Sequence, residues 1–251
     1  MGGTRSSSSA GAGIPLAVRS REEKFADLLD SIQANLPEGI RTTSVRPKIE
    51  IVADDEFISN AAAIVTDDGK TVAIRESIAR DIDRYLEGER NDTTIAAWST
   101  LVHESLHLQS PPVQNGKSTT ADLWFEEGFV ERTAQRYVAN TYPMSRIPGI
   151  YRSHVAAVDS LSRAIGEETV QQIWRQPTSQ ARMSAMHDPI GSWLTGRILR
   201  VGGTPEYAKV VVDNFTSRWR LFNQGRAHEV HLARNVRDIT RLLGSLEPAG
   251  R

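Results

Sequence analysis

Two histidines and a glutamate in one short segment are the residues with the clearest capacity for chemistry. The segment reads His103-Glu104-Ser105-Leu106-His107. Histidines four residues apart lie on one face of a helix, one turn above each other, so both imidazoles can bind one metal ion. In zinc-dependent hydrolases with this spacing, the glutamate is the general base. The pattern therefore predicts a helical zinc site with ligands His103 and His107 and base Glu104.

The surrounding sequence predicts the helix that this site requires. Asn91-Asp92 offers suitable N-caps, and Pro111-Pro112 ends the run. Between them, residues recur at helical spacing, and these are Ile95, Trp98, Leu101, Val102, Ser105 and Leu108. His103 and His107 lie beside this stripe, in line with small residues. Such a face suits a metal-bearing helix.

A catalytic zinc ion usually has three protein ligands and keeps a fourth position for water, so a third ligand is needed. The chain contains no cysteine, which leaves histidine and carboxylate as the ligand types. Residues 120–131 predict a second helix, in which aromatic residues pack inward while a carboxylate reaches the metal. The glutamates of this segment are Glu126, Glu127 and Glu131.

These two segments resemble the gluzincin metallopeptidases, whose third ligand is a glutamate on the helix after the His-Glu-x-x-His helix. The nearest local match is to the aminopeptidase branch, where that helix reads Trp-Leu-Asn-Glu-Gly-Phe-Ala. Aligned on the shared residues, the resemblance implies that Glu127 is the zinc ligand and places Glu126 at the Asn position. The shared residues are Trp124, Gly128 and Phe129. The connection from His107 is one residue longer than in those aminopeptidases, and the resemblance covers about residues 48–140.

The other two glutamates of the second helix keep alternative roles. In thermolysin-like relatives a carboxylate one turn after the ligand holds the N–H of a ligand histidine, which implies this role for Glu131. The alternative is a solvated Glu131 facing Arg132 or Arg136. Glu126 is a second candidate for the ligand position.

The resemblance also implies a Tyr or His after the ligand helix that stabilises the oxyanion. Tyr151 and His187 are the two leading catalytic candidates, and Asp188 could orient the ring of His187. The further candidates are Tyr137, Tyr142 and His154. The alternative for each of these residues, and the more common role of such residues, is ordinary packing or surface exposure.

The predicted elements indicate an α+β fold. Helices are predicted at about 21–36, 76–87, 150–166, 167–175, 188–200, 205–222 and 226–244, a strand at 48–53 and a β-hairpin at 60–75. This layout resembles a zincin, with a small mixed or antiparallel sheet lobe that carries the active-site helix, followed by an all-helical C-terminal lobe. The predicted organisation is a disordered Gly/Ser-rich tail (1–20), a catalytic lobe (21–140) and a helical lobe (141–251).

In zincins the edge strand before the active-site helix binds the substrate backbone, and Asn60-Ala61 loosely resembles the start of that strand. The alternative is a plain hairpin within the sheet. No individual substrate-binding residue is assigned from the sequence.

Composition restricts the partners and the location. The net charge of −1 argues against nucleic acid as a partner. The C-terminal segment 216–241 carries six arginines and the pair His228 and His231. A nucleic-acid contact or a second metal site is an alternative there to solvated helix faces. The sequence predicts neither a membrane span nor a secretory signal, which favours a cytoplasmic protein, and its preference for Arg over Lys suggests a bacterial or phage origin.

The sequence thus predicts a zinc-dependent peptidase with Zn²⁺ as cofactor and a peptide or protein as substrate. Endopeptidase activity is favoured, since the chain shows no clear match to the Gly-Ala-Met-Glu-Asn motif of the aminopeptidases. The alternative is a zincin-fold structural or interaction protein of a larger assembly that binds metal without proteolysis. Glu104 argues against this alternative, because a structural zinc site does not need a general base.

Overall fold

A three-stranded sheet and a larger set of helices form an α+β fold in the computed structural model. The structure describes residues 19–42, 46–57, 61–116, 123–143, 151–200, 204–207, 209–210 and 213. The strands are β1 (Lys48–Val52), β2 (Ala63–Val65) and β3 (Thr71–Arg75). The helices are α1 (Arg21–Ala34), α2 (Glu76–Leu86), α3 (Asp92–His107), α4 (Pro111–Gln114), α5 (Leu123–Thr141), α6 (Arg152–Ile165), α7 (Glu167–Trp174) and α8 (Ser179–Arg200). The predicted α+β class and the predominance of helix are confirmed.

The sheet has the strand order β1-β3-β2, with β1 parallel and β2 antiparallel to β3. The β2–β3 hairpin predicted at 60–75 is therefore confirmed. Ladder hydrogen bonds run from Thr66 N to Thr71 O at 2.9 Å and from Arg75 N to Ala62 O at 3.1 Å. Because peptide groups alternate in direction along a strand, those of Ala63 and Val65 point away from β3. Within the described chain, β2 is thus an edge strand.

The hairpin turn is fixed by one carboxylate and one glycine. Asp68 accepts four hydrogen bonds of 2.7 to 2.8 Å from the hydroxyls of Thr66 and Thr71 and the amides of Lys70 and Thr71. Gly69 has φ 64°, and a Cβ there would lie 2.4 Å from the carbonyl oxygen of Val113. Only glycine meets both conditions without strain, so the turn packs closely on α4.

Helix α3 begins where the capping pattern predicts. The side chain of Asn91 accepts a hydrogen bond from Thr94 N at 3.0 Å, and Thr94 Oγ1 accepts one from Asn91 N at 3.1 Å. Trp98, Leu101 and Val102 are buried on its inner face. This fixes the direction in which the remaining faces of α3 point.

One continuous hydrophobic core extends from Phe25 on α1 to Leu194 on α8. It joins elements of the predicted segments 21–140 and 141–251, whose division stays a prediction. Among the described residues, no helix combines the length and apolar character that a membrane span requires.

The start of α8 differs from its predicted position. The sequence predicts a helix at 188–200, whereas α8 begins at Ser179 and contains Pro189 in its interior. The buried residues Met183, Met186, Ile190 and Leu194 continue one apolar face across the proline. Packing of this face offsets the local cost of the missing N–H.

Of the other predicted C-terminal helices, two fall within the described residues. Helices predicted at 150–166 and 167–175 correspond to α6 and α7. The predicted tail, the helices at 205–222 and 226–244, and the pair His228 and His231 lie wholly or mostly outside the described residues.

We expect Asp68→Ala to lower the free energy of unfolding by about 1 to 2 kcal/mol near neutral pH, because it removes the acceptor of the turn. The hydroxyl of Thr71, followed by the other donors, holds the pKa of Asp68 well below its usual range. A carboxylate whose pKa is lower in the folded than in the unfolded state stabilises the fold at pH values above its unfolded pKa of about 4. This stabilisation is lost as the pH falls. The difference between variant and parent should therefore shrink below about pH 4, as measured by urea unfolding.

Asp67→Ala is the matched control, since it removes an exposed carboxylate from the same turn. Equal destabilisation by both substitutions would contradict the role given to Asp68.

Candidate metal centre

Three side chains from α3 and α5 meet at the position predicted for the metal. The Nε2 atoms of His103 and His107 are 3.1 Å apart. Oε2 of Glu127 lies 3.3 Å from Nε2 of His103 and 3.5 Å from Nε2 of His107. In a tetrahedral site with bonds of about 2.0 to 2.1 Å, neighbouring ligand atoms are about 3.3 Å apart. The group could therefore hold a metal ion.

The Glu127 carboxylate supports this fit independently. Within the described chain, its Oε2 atom is buried and has no hydrogen-bond partner, despite its proximity to the two imidazoles. A buried polar atom without a partner costs about 1 to 3 kcal/mol. A cation among the three ligand atoms would remove this cost.

Each histidine is oriented by a carboxylate on α5. Nδ1 of His103 lies 3.0 Å from Oε2 of Glu131, and Nδ1 of His107 lies 2.9 Å from Oε1 of Glu126. An ionised carboxylate can only accept, so each Nδ1 carries a hydrogen, and in the neutral form of each ring Nε2 keeps a lone pair for a metal. The contact implied for Glu131 by the resemblance is present, and Glu131 also accepts a hydrogen bond from Gln135 at 2.7 Å.

The electrostatics of the site favour positive charge. Burial lowers the pKa of His103, but the carboxylates of Glu127 and Glu131 outweigh burial and raise it to about 9. The pKa of His107 is raised well above its usual value against the same effect of burial, by Glu127 and Glu126. Burial raises the pKa of Glu127, yet His107 and His103 hold it far below its usual range. These shifts arise from the mutual attraction of the buried carboxylates and the two imidazoles, and the same carboxylates would attract a divalent cation.

Glu104 faces a cavity of about 550 Å³ that also exposes the three ligand side chains. It is 5% exposed, and its carboxylate accepts a hydrogen bond from the backbone N–H of Val65. Burial raises the pKa of Glu104 above its usual value. Residues on and beside β2 line the opposite wall, and these are Ala61, Ala63, Ile64, Val65, Thr66 and Asp67.

Tyr151, at the start of α6, is a predicted catalytic candidate that the structure brings into this cavity. Its ring stacks on His103 with 5.7 Å between centroids. Burial, then the negative charge of Glu127 and Glu104, raises the pKa of Tyr151. The hydroxyl therefore stays protonated and able to donate. His154 packs edge-on against Tyr151, with 5.5 Å between centroids.

The structure does not bring the other candidates to the cavity. His187 lies on α8, partly exposed, with Nδ1 2.8 Å from Oδ1 of Asp188. Asp188 therefore contacts the ring as predicted, but His187 is absent from the cavity wall. Tyr137 and Tyr142 pack around Trp98 on another side of α3. For an aromatic residue in a helical segment, the local sequence does not distinguish a role in the site from a role in packing.

The sequence does not predict the observed roles of two residues at the site, Glu126 and Arg182. From the sequence, Glu126 is a second candidate for the metal ligand. In the structure, Glu126 instead contacts Nδ1 of His107 and the buried guanidinium of Arg182. The alignment with the Asn position was the available signal for Glu126. Arg182 lies 56 positions further along the chain, and no local pattern connects it with α5.

Comparisons with known proteins give no relative. No family model, curated protein or solved structure matches the chain.

Gly128 sets the distance between α5 and α6 beside the site. A Cβ at Gly128 would lie 2.5 Å from the carbonyl oxygen of His154 and 2.8 Å from Cγ2 of Val158. The backbone of α6 therefore rests directly on α5, one residue after Glu127. This close contact places Tyr151 and Glu127 beside the same cavity.

We expect Gly128→Ala to separate α5 from α6, with a cost of about 1 to 3 kcal/mol from overpacking. The displacement of Glu127 should also weaken metal binding at this group, measured with zinc as the probe, by about tenfold or more, as loss of ligand orientation does in metal sites. Urea unfolding and a chelator competition assay measure the two effects.

Gly196→Ala on α8 is the matched control, because a Cβ there would meet none of the described atoms within 4 Å. This substitution should stabilise the helix by up to about 1 kcal/mol. Unchanged stability and zinc affinity in Gly128→Ala would contradict the proposed close packing.

Proposed function

We propose that the protein is a zinc-dependent peptidase of the gluzincin type, with Zn²⁺ held by His103, His107 and Glu127. The observation that carries the proposal is the meeting of three ligand atoms at tetrahedral spacing in a cavity that also contains Glu104. A structural zinc site is usually closed by four protein ligands, whereas this group offers three and faces open space.

The proposed chemistry divides between the metal and the chain. A bound Zn²⁺ supplies a Lewis acid that polarises a substrate carbonyl and makes water a nucleophile near neutral pH. Glu104 accepts a proton from the attacking water on a carboxylate oxygen and later donates it to the leaving amine. The N–H of Val65 holds this carboxylate towards the cavity.

Tyr151 is the proposed donor to the developing oxyanion. It lines the cavity, stacks on His103 and keeps its proton because its pKa is raised. Among the aromatic and histidine candidates from the sequence, it is the one that the described cavity contains. Its hydroxyl would compensate negative charge on the carbonyl oxygen during attack.

The proposed substrate is an extended peptide that pairs with the edge of β2. The carbonyl groups of Ala63 and Val65 and the N–H of Ala63 point away from β3, whereas the N–H of Val65 is already bonded to Glu104, and both residues line the cavity. Strand addition at this edge would place a substrate backbone across the metal centre. It needs no free terminus, which favours an endopeptidase.

Metal analysis of the purified protein tests the ligand assignment. We expect one Zn²⁺ per chain in the parent and loss of stoichiometric zinc in His103→Ala, His107→Ala and Glu127→Ala, since each leaves only two ligands. His187→Ala is the matched control, because it removes a histidine that does not line the cavity. Retention of zinc in all three ligand variants would refute the site.

Glu104→Gln separates catalysis from metal binding. We expect this variant to keep its zinc and to lose at least about 100-fold in cleavage of a denatured protein substrate, because the amide cannot act as a general base. Glu168→Gln, on the exposed side of α7, should leave cleavage unchanged. A chain that uses the metal only for structure or interaction would bind zinc and show no cleavage in the parent either.

A further inference from the structure

A buried arginine stands behind the carboxylate that orients His107. Arg182, in the first turn of α8, is 1% exposed, and its Nη1 pairs with Oε2 of Glu126, which is 3% exposed. Nη2 donates to Ser110 Oγ at 2.8 Å, and Ser110 Oγ donates to Oε2 of Glu126 at 3.1 Å. Nε and Nη2 also donate to the carbonyl oxygen of Trp174 at 2.9 and 2.6 Å.

This arrangement fixes both oxygens of one carboxylate. Oε2 of Glu126 is held by Arg182 and Ser110, which leaves Oε1 directed at Nδ1 of His107 at 2.9 Å. The carboxylate that contacts the other histidine, Glu131, accepts a hydrogen bond from the amide of Gln135 on the same helix. The support of His107 therefore comes from a cation on a distant helix.

A buried guanidinium is costly unless its donors are used and its charge is balanced. Arg182 meets both conditions through a carboxylate, a hydroxyl and a main-chain carbonyl that come from α5, the N-cap of α4 and α7. Its planar fork suits this set of acceptors, which one ammonium group could not satisfy together. The fork thus locks Glu126 in one rotamer.

We propose that Arg182 is a positioning residue of the metal centre, which holds Glu126 so that this carboxylate directs Nε2 of His107 at the metal. The inference rests on the zinc site proposed above. It makes the start of α8 a part of that site, although α8 contributes no ligand. Groups that orient ligand histidines affect metal affinity by about 10- to 100-fold.

The test measures zinc affinity by chelator competition and ligand geometry by the visible absorption of the Co²⁺-substituted protein. We expect Arg182→Met to weaken zinc binding by about 10- to 100-fold and to change the Co²⁺ spectrum. Arg182→Lys keeps a cation but not the fork, so its affinity should be intermediate. Arg182→Lys also provides a folded comparison if Arg182→Met does not fold.

Arg132→Met is the matched control for the loss of a buried arginine. Arg132 is 3% exposed and pairs with Glu167 and Ser162. Its removal should reduce stability but leave the zinc affinity and the Co²⁺ spectrum of the folded protein unchanged. A general effect of destabilisation would instead appear in both variants.

A double-mutant cycle tests the route through Glu126. In a Glu126→Gln background, adding Arg182→Met should have little further effect on zinc affinity, because the carboxylate on which Arg182 acts is gone. Equal weakening in both backgrounds, or parental affinity in folded Arg182→Met and Arg182→Lys, would overturn the inference. If the parent binds no zinc, both the proposed function and the role of Arg182 fail. If the parent binds zinc and these variants match it, only the role of Arg182 fails.

Discussion

The balance of charge between α3 and α5 is the constraint on which the site depends. Four glutamates, Glu104, Glu126, Glu127 and Glu131, are buried or nearly buried around two imidazoles, with Arg182 as the cation in direct contact. Buried carboxylates are tolerated only when hydrogen bonds and opposite charges offset their desolvation. Glu104, Glu126 and Glu131 each accept hydrogen bonds, whereas Oε2 of Glu127 has no hydrogen-bond partner among the described residues, and a metal ion at the site would pair with this atom.

The packing of the helices sets the positions of these charged side chains. The capped start of α3 fixes the rotation of the histidine face, and the contact of Gly128 with α6 fixes how closely α5 can approach its neighbours. Neither feature touches the metal position. Both nevertheless decide where the three ligand atoms lie, because rigid helices transmit small displacements along their whole length. The hairpin turn at Gly69 acts similarly on the other wall, where close packing on α4 places the β2 edge beside Glu104.

Features encoded by nearby residues could be predicted from the sequence, whereas those created by distant contacts could not. The capping pattern at Asn91, the helical spacing of the following residues and the hairpin pattern predict α3, β2 and β3 within a few residues. The start of α8 was missed, because the core supports a helix across Pro189 that local propensity disfavours. His187 was chosen for its residue type, but the face of α8 on which it lies is set by packing. The link between Arg182 and Glu126 leaves no spacing to recognise, since it joins separate helices.

The carboxylate that contacts His107 is bound by an arginine from a third helix, and this contact bears on how the site is assembled. His103 contacts Glu131, which lies on α5. His107 depends in addition on α8, whose first turn supplies the guanidinium that fixes Glu126. A complete ligand group therefore requires α3, α5 and α8 together. Metal binding would then stabilise the contact between α8 and the rest of the core, because a ligand that binds only the assembled state shifts the equilibrium towards it.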